Sequence, residues 1–213
     1  MSDQGNEETE AVLKEKMDEV RAQAGQDMEI KIDEAPMAHS FQEWIDSYER
    51  DVALYKEILL EESTPAPLRR LVAGGLMYII RQFDLIPDYL KPVGLLDDAI
   101  VLRITADLGA EHTAELDPKY MKQMFKLAND AESIRGFLGE GYRDLENYVR
   151  RQPEDAVHGI TGDAVVEHAS VRTELIAQVD EEMKSFEAGA IEDGAKVERE
   201  LKSYIRAKLD AKK

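Results

Sequence analysis

The sequence predicts an all-α protein, a small helical bundle built around an antiparallel helical hairpin, with flanking helical arms. Apolar residues recur at steps of three and four along several segments, which is the spacing of one face of an α-helix. Charged residues make up 34% of the 213 residues, a share typical of long solvated helices. We find no alternation of apolar and polar residues long enough to predict a strand. The apolar share of 43% is enough to form a sizeable core.

The chain divides by composition into three regions. Residues 1–40 carry eleven acidic and four basic residues and few apolar ones, which predicts a largely mobile acidic arm. Residues 41–153 carry the regular apolar spacing and form the predicted helical core domain. Residues 154–213 form a predicted C-terminal helical extension.

The first core helix is predicted over residues 41–59, because its apolar side chains share one face. Ser40 is the predicted N-cap, and Glu43 follows three residues later in the pattern of a capping box. The prolines of residues 63–67 end the helix. The apolar face comprises Phe41, Trp44, Ile45, Tyr48, Val52, Tyr55, Ile58 and Leu59.

A buried second helix is predicted over residues 68–82, with the pair Gly74-Gly75 in its middle. Each glycine costs a helix about 0.5–1 kcal/mol relative to alanine, and close packing is the usual compensation. The segment Asp84-Leu85-Ile86-Pro87-Asp88 must end this helix, because proline lacks a backbone donor and disfavours helix in the residue before it. The predicted turn-forming residues are Pro87, Pro92 and Gly94.

The later elements follow the same apolar spacing. A third helix is predicted over residues 95–109, with Asp97 and Asp98 in its first turn. The others are a helix beginning at Asp117-Pro118 and kinked or divided by Gly136, Gly139 and Gly141, a loop over 154–162, a helix over 162–188, a break over 189–194 and a last helix over 195–211.

Residues 68–108 carry a specific pattern: an apolar helix, the D-L-I-P-D turn, a short loop with a glycine, and a D-D pair that opens the next helix. This order and spacing resembles the YkvA-like family, a bacterial and organellar domain of unknown function. The resemblance covers about a fifth of the chain and implies no settled activity. Some members of that family look membrane-associated, so the resemblance keeps a membrane hypothesis open.

Four aspartates near this hairpin form the main candidate cluster: Asp84, Asp88, Asp97 and Asp98. If the hairpin folds back on itself, their carboxylates converge, and Mg²⁺ or Ca²⁺ would relieve the repulsion between them. In the alternative interpretation the aspartates are structural. An aspartate at the turn accepts a hydrogen bond from the backbone of that turn, and aspartates in the first turn of a helix complement the helix dipole. The arginines that are nearby in sequence would then neutralise them, namely Arg69, Arg70, Arg81 and Arg103. In the third alternative, the segment that carries the aspartates binds a partner.

The last helix is predicted to be basic and amphipathic. Residues 196–213 carry seven basic and three acidic residues, although the whole chain has a net charge of −18. Such a helix contacts an anionic membrane or a partner, or packs on the acidic body of its own chain. The candidate membrane or partner surface comprises Val197, Lys202, Tyr204, Ile205, Arg206 and Leu209.

Several classes of function are disfavoured by composition. The charge of −18 repels a phosphate backbone, so we expect no nucleic acid as partner. The chain has no cysteine, which excludes disulfides, thiolate metal sites and a cysteine nucleophile. No histidine pair has the helical spacing of a metal site, and no phosphate-binding loop or nucleophile elbow is present. We identify no small-molecule ligand, no confident cofactor and no catalytic residue.

The leading hypothesis is a non-enzymatic adaptor or scaffold domain that acts through contact with a protein partner or with itself. The first alternative is a peripheral membrane protein that uses the apolar hairpin and the basic last helix. The second is a Mg²⁺- or Ca²⁺-dependent enzyme that uses the aspartate cluster. The longest apolar run, residues 71–80, is half of what a bilayer span needs, and the acidic N-terminus is unlike a signal peptide. We therefore expect a cytoplasmic protein, with membrane association as the alternative.

Overall fold

A computed structural model describes residues 36–81, 85–87 and 90–211, apart from the side chain of Glu115. Most of the predicted acidic arm, and the candidate residues Asp84 and Asp88, lie outside these ranges. The described part confirms the all-α class. Apart from one antiparallel bridge between Val157 and Ile160, the described ranges contain no extended pairing.

The described part of the chain folds into eight α-helices and four short 3₁₀-helices. The α-helices are α1 (Ala38–Leu60), α2 (Ala66–Ile79), α3 (Val93–Gly109), α4 (Pro118–Leu138), α5 (Tyr142–Arg151), α6 (Gly162–Glu167), α7 (Ala169–Glu182) and α8 (Gly194–Asp210). The 3₁₀-helices are Ala110–Glu115, Gly139–Gly141, Gln152–Glu154 and Met183–Ser185.

The described helices share one hydrophobic core. The core begins with the predicted apolar face of α1 and includes most of the apolar side chains of α2 and α3. The last three helices contribute to the same core through Val165, Leu175, Val179 and Leu201, which are all buried. Residues 154–211 therefore pack on the residues before them and do not extend away from the bundle.

Helices α2 and α3 form the predicted antiparallel hairpin. At the end near the turn, the hydroxyl of Tyr78 donates to the carboxylate of Asp97. At the opposite end, a methyl group added to Gly109 would lie 2.6 Å from Cδ1 of Leu68. The start of one helix thus lies beside the end of the other, which defines an antiparallel pair.

The predicted start of α1 is wrong. The helix begins at Ala38, so Ser40 lies inside its first turn and is not the N-cap. The N-cap is Met37, whose backbone N–H donates to Oε1 of Glu198 at 2.7 Å. A contact with α8, 161 residues away, therefore satisfies a donor that the local sequence was expected to satisfy.

Helix α3 begins two residues earlier than predicted, which changes the environment of three candidate residues. Gly94 is the second residue of the helix and does not form a turn. Asp97 and Asp98 lie beyond the first turn and are buried, so they do not act as exposed charges that complement the helix dipole. Pro92 immediately precedes the helix, and Pro87 lies in a turn in which its carbonyl accepts from the N–H of Leu90.

The predicted division of the helix at its glycines is confirmed, and one other boundary differs from the prediction. Helix α4 ends at Leu138, and Gly139 follows it with a φ of +56° that favours glycine, whereas Gly136 lies within α4. The single helix predicted over residues 162–188 is two helices, since His168 adopts an extended conformation between α6 and α7.

A pair of glycine substitutions tests how closely α2 packs. A methyl group at Gly74 would lie 2.6 Å from Cγ of Pro153, and a proline ring cannot rotate away. We expect Gly74→Ala to lower the free energy of unfolding by about 1–3 kcal/mol. Gly136→Ala is the matched control, because a methyl group there meets nothing within 4 Å. It is expected to raise that free energy by about 0.5–1 kcal/mol. Urea unfolding measures both, and equal effects would contradict the described packing.

Candidate functional site

The buried carboxylate of Asp97 holds the turn of the hairpin in place. Its Oδ2 accepts from the hydroxyl of Tyr78 at 2.6 Å and from the backbone N–H of Ile86 at 3.1 Å. The Tyr78 oxygen in turn accepts from the N–H of Leu85 at 2.9 Å. Two consecutive N–H groups of the turn are thus satisfied by side chains of α2 and α3.

Asp98 connects the hairpin to α1. Its Oδ2 accepts from the hydroxyl of Tyr48 at 3.0 Å, and both side chains are buried. Adjacent positions on a helix point about 100° apart. One aspartate of the pair therefore contacts α2 and the turn, and the other contacts α1. The two carboxylates, which the sequence placed in one cluster, hold different elements.

Among the described residues, nothing supports the metal hypothesis. Within residues 36–81, 85–87 and 90–211, no group of three or more acidic or histidine side chains is arranged to hold a metal ion. Oδ2 of Asp97 and of Asp98 accepts hydrogen bonds from protein donors. Asp84 and Asp88, on which the four-carboxylate site also depends, lie outside the described residues.

Arg103 is the centre of a second buried network. Its guanidinium is 2% exposed, donates to Asp51 at 3.2 Å and Asp130 at 3.0 Å, and lies 4.8 Å from the centre of the Trp44 ring. It also donates to Oγ of Ser47 and to the carbonyl of Ala99. The network links α1, α3 and α4. Charge-assisted bonds of this kind are stronger than neutral ones.

Burial shifts the proton affinities of this network. Desolvation raises the pKa of Asp51 despite the hydrogen bond from Ser47 and the charge of Arg103, both of which lower it. Desolvation likewise lowers the pKa of Arg103, against the raising effect of Asp51 and Asp130. Each partner therefore depends on the other to remain charged inside the bundle.

The sequence did not predict this network, although a signal was present. Arg103 interrupts an otherwise apolar stretch of α3. A lone charge among apolar residues must find a partner when its helix is buried. The prediction treated Arg103 as a neighbour of the four aspartates, but its partners come from α1 and α4. The nearby arginines Arg70 and Arg81 pair with Asp163 and Asp155.

Residues 186–191, which we call the strap, cross α1 without helical structure between α7 and α8. The side-chain amide of Gln42 donates to the carbonyl of Gly189 at 3.2 Å and accepts from the N–H of Ile191 at 2.8 Å. The ring of Phe186 lies 5.3 Å from that of Tyr48, beside a cavity of about 50 Å³ whose lining includes Asp98. The strap therefore covers one side of the hairpin. The sequence predicted only a break near this position.

The predicted surface of the last helix divides into buried and exposed residues. Val197, Ile205 and Leu209 are buried against the bundle, so in this conformation they are unavailable to a membrane or a partner. Lys202, Tyr204 and Arg206 are exposed. The apolar face of α8 thus packs on the chain's own body, and its basic face points outward.

The hairpin that carries these networks is also the part of the chain that resembles other proteins. Residues 69–104 match the model of a family described as a protein of unknown function (DUF1232). The DUF1232 match includes Tyr78, Asp97, Asp98 and Arg103, whose contacts hold the hairpin together and join it to α1 and α4. No curated protein and no solved structure matches the chain.

None of the helices in the described ranges combines the length and the apolar character that crossing a bilayer requires.

Proposed function

We propose that the protein is a non-enzymatic helical adaptor or scaffold domain of the YkvA-like family, acting through protein–protein contact. The observation that carries the proposal is the use of the hairpin's buried polar groups. Asp97 holds the turn, Asp98 holds α1, and Arg103 holds α1 and α4. These polar side chains bind other parts of the same chain, so they hold the hairpin rigidly. A rigid hairpin is suited to present a surface to a partner.

The order of elements around the hairpin supports the assignment to the YkvA-like family. The D-L-I-P-D turn, the following glycine and the D-D pair stand in the order and spacing typical of that family. The DUF1232 match over residues 69–104 is consistent with it.

Chemical cross-linking of the tagged full chain in cells, followed by purification and reconstitution of each captured protein, tests the adaptor proposal. We expect at least one captured protein to bind the purified chain saturably. Light scattering on a size-exclusion column would detect self-association as the other form of contact. A strict monomer that binds none of the captured proteins would contradict the proposal.

A peripheral membrane protein is the second candidate, and the outward face of α8 is what favours it. Lys196, Arg199, Lys202 and Arg206 follow one another at steps of three and four, so they lie on one side of the helix, and all four are exposed. Clusters of basic residues are attracted to anionic lipid surfaces. Flotation with anionic vesicles, lost when residues 196–213 are deleted, would favour this candidate. No flotation with or without Mg²⁺ or Ca²⁺ would exclude it.

A further inference from the structure

The strap has the contacts of a bound extended peptide. Gln42 binds the backbone of the strap at Gly189 and Ile191, and its side-chain amide also donates to Asp46 on α1. The half-buried residues Phe186, Gly189 and Ile191 are separated by exposed ones. Backbone hydrogen bonds together with separated side-chain contacts are the usual mode by which proteins recognise extended peptides.

The strap is held by few contacts. Phe186 and Ile191 are only partly buried against the core. The nearest ion pair, Lys91 with Glu187, spans 4.0 Å between side chains that are 42% and 89% exposed. Exposed pairs of this kind contribute little stability. Segments with few buried contacts open locally at a lower free energy than the whole domain.

The surface beneath the strap belongs to rigid elements. Its floor includes Tyr48 of α1 and Ile79 and Leu95 of the hairpin, and Asp98 lines the same small cavity. Tyr48 and Asp98 are held by their mutual hydrogen bond, and both helices are part of the core. Lifting the strap would therefore uncover a preformed groove.

We propose that this groove is a peptide-binding site that the strap occupies in cis. The partner would supply an extended segment with an aromatic residue, a small residue three positions later and an aliphatic residue two positions after that. This spacing copies Phe186, Gly189 and Ile191. The aromatic ring would pack on Tyr48, and the peptide backbone would bind Gln42. The inference rests on the proposed adaptor function and specifies its contact surface.

A labelled peptide with the sequence of residues 183–192, MKSFEAGAIE, tests the groove directly. Fluorescence polarisation measures its binding to the full chain. Phe186→Ala weakens the hold of the strap, which competes with the peptide for the groove. We therefore expect this variant to bind the peptide at least tenfold more tightly than the wild type. Gln42→Ala in the same background is expected to reverse most of that gain. A peptide with alanine in place of its phenylalanine and isoleucine should not bind.

Controls separate opening of the strap from loss of folding. Phe125→Ala removes an exposed aromatic side chain on α4 and should leave peptide affinity unchanged. Ile191→Ser loosens the other end of the strap and serves as a second opening variant. Hydrogen exchange of the Ile191 amide should accelerate in Gln42→Ala, because the Gln42 side chain accepts the hydrogen bond from that amide.

Three results would overturn the proposal: equal peptide affinity in the wild type and both opening variants, no saturable binding up to millimolar peptide, or a Phe186→Ala dimer that excludes the peptide. The dimer would assign the groove to the strap of a second copy. Because the probe comes from this chain, the outcome does not depend on whether a cellular partner is captured. Failure of the groove and failure of the adaptor function are thus distinguishable.

Discussion

Replacing Arg103 with alanine is expected to lower the free energy of unfolding by about 3–5 kcal/mol, because a buried partner of a charged pair is removed. Asp51 is buried, and it would lose its guanidinium partner. Asp130 is affected less, since its side chain is 28% exposed and water can replace the lost bond. Urea unfolding followed by circular dichroism measures the change.

The double variant Arg103→Met with Asp51→Leu is the control for this prediction. It removes both charges and replaces them with apolar side chains. Such replacements of buried pairs are often neutral or stabilising. We expect it to recover most of the stability that Arg103→Ala loses. A double variant as unstable as Arg103→Ala would show that shape, and not the orphaned charge, determines the loss.

The effect of Arg103→Ala should depend on pH. Burial already raises the pKa of Asp51 in the wild type, and loss of Arg103 removes a charge that lowers it. A carboxyl whose pKa is raised on folding stabilises the fold when protonated, and that stability is lost as pH rises through the folded pKa. The destabilisation should therefore be smaller at pH 4 than at pH 7. A loss independent of pH between these values would contradict the assignment of Asp51 as the orphaned charge.

Replacing Asp97 with alanine is expected to cost about 3 kcal/mol, because two buried donors lose their acceptor. These donors are the Tyr78 hydroxyl and the Ile86 N–H. Asp97→Asn keeps one side-chain oxygen and should cost less than half as much. A double-mutant cycle with Tyr78→Phe is expected to give a coupling energy of about 1 kcal/mol or more. Thermal or urea unfolding of the four proteins provides the measurement.

The same variant separates the structural interpretation from the metal hypothesis. The cost of Asp97→Ala should be identical in EDTA and in millimolar Mg²⁺ or Ca²⁺, since the hydrogen-bond donors belong to the protein. If either cation stabilised the wild type and not Asp97→Ala, the carboxylate would be a metal ligand and the structural interpretation would be wrong.

The helices were predictable because their apolar faces are long and regular. The hairpin and the face of α1 follow directly from side-chain spacing, and the structure confirms both. Boundaries fixed by distant contacts were not predictable. The N-cap of α1, for example, donates to Glu198 of α8. Periodicity carries no information about a partner more than a hundred residues away.

The candidate site was predicted in position but not in organisation. Asp97 and Asp98 were correctly placed on the helix after the turn, yet Tyr48 was assigned only to the apolar face of α1, and Tyr78 was not singled out. A tyrosine on an apolar face gives no indication of which acceptor its hydroxyl finds. The basic face of α8 was visible in the sequence, whereas the packing of its apolar face on the chain's own bundle required the structure.

Cross-linking capture with three forms of the chain tests the central claim, that the hairpin frame presents a protein-binding surface. The forms are the wild type, Phe186→Ala and the double variant Phe186→Ala with Gln42→Ala. Each captured protein is purified and its affinity for all three forms is measured. We predict a partner that binds Phe186→Ala more tightly than the wild type and binds the double variant more weakly than Phe186→Ala. Captured proteins that bind all three forms equally, or none of them, would contradict the account.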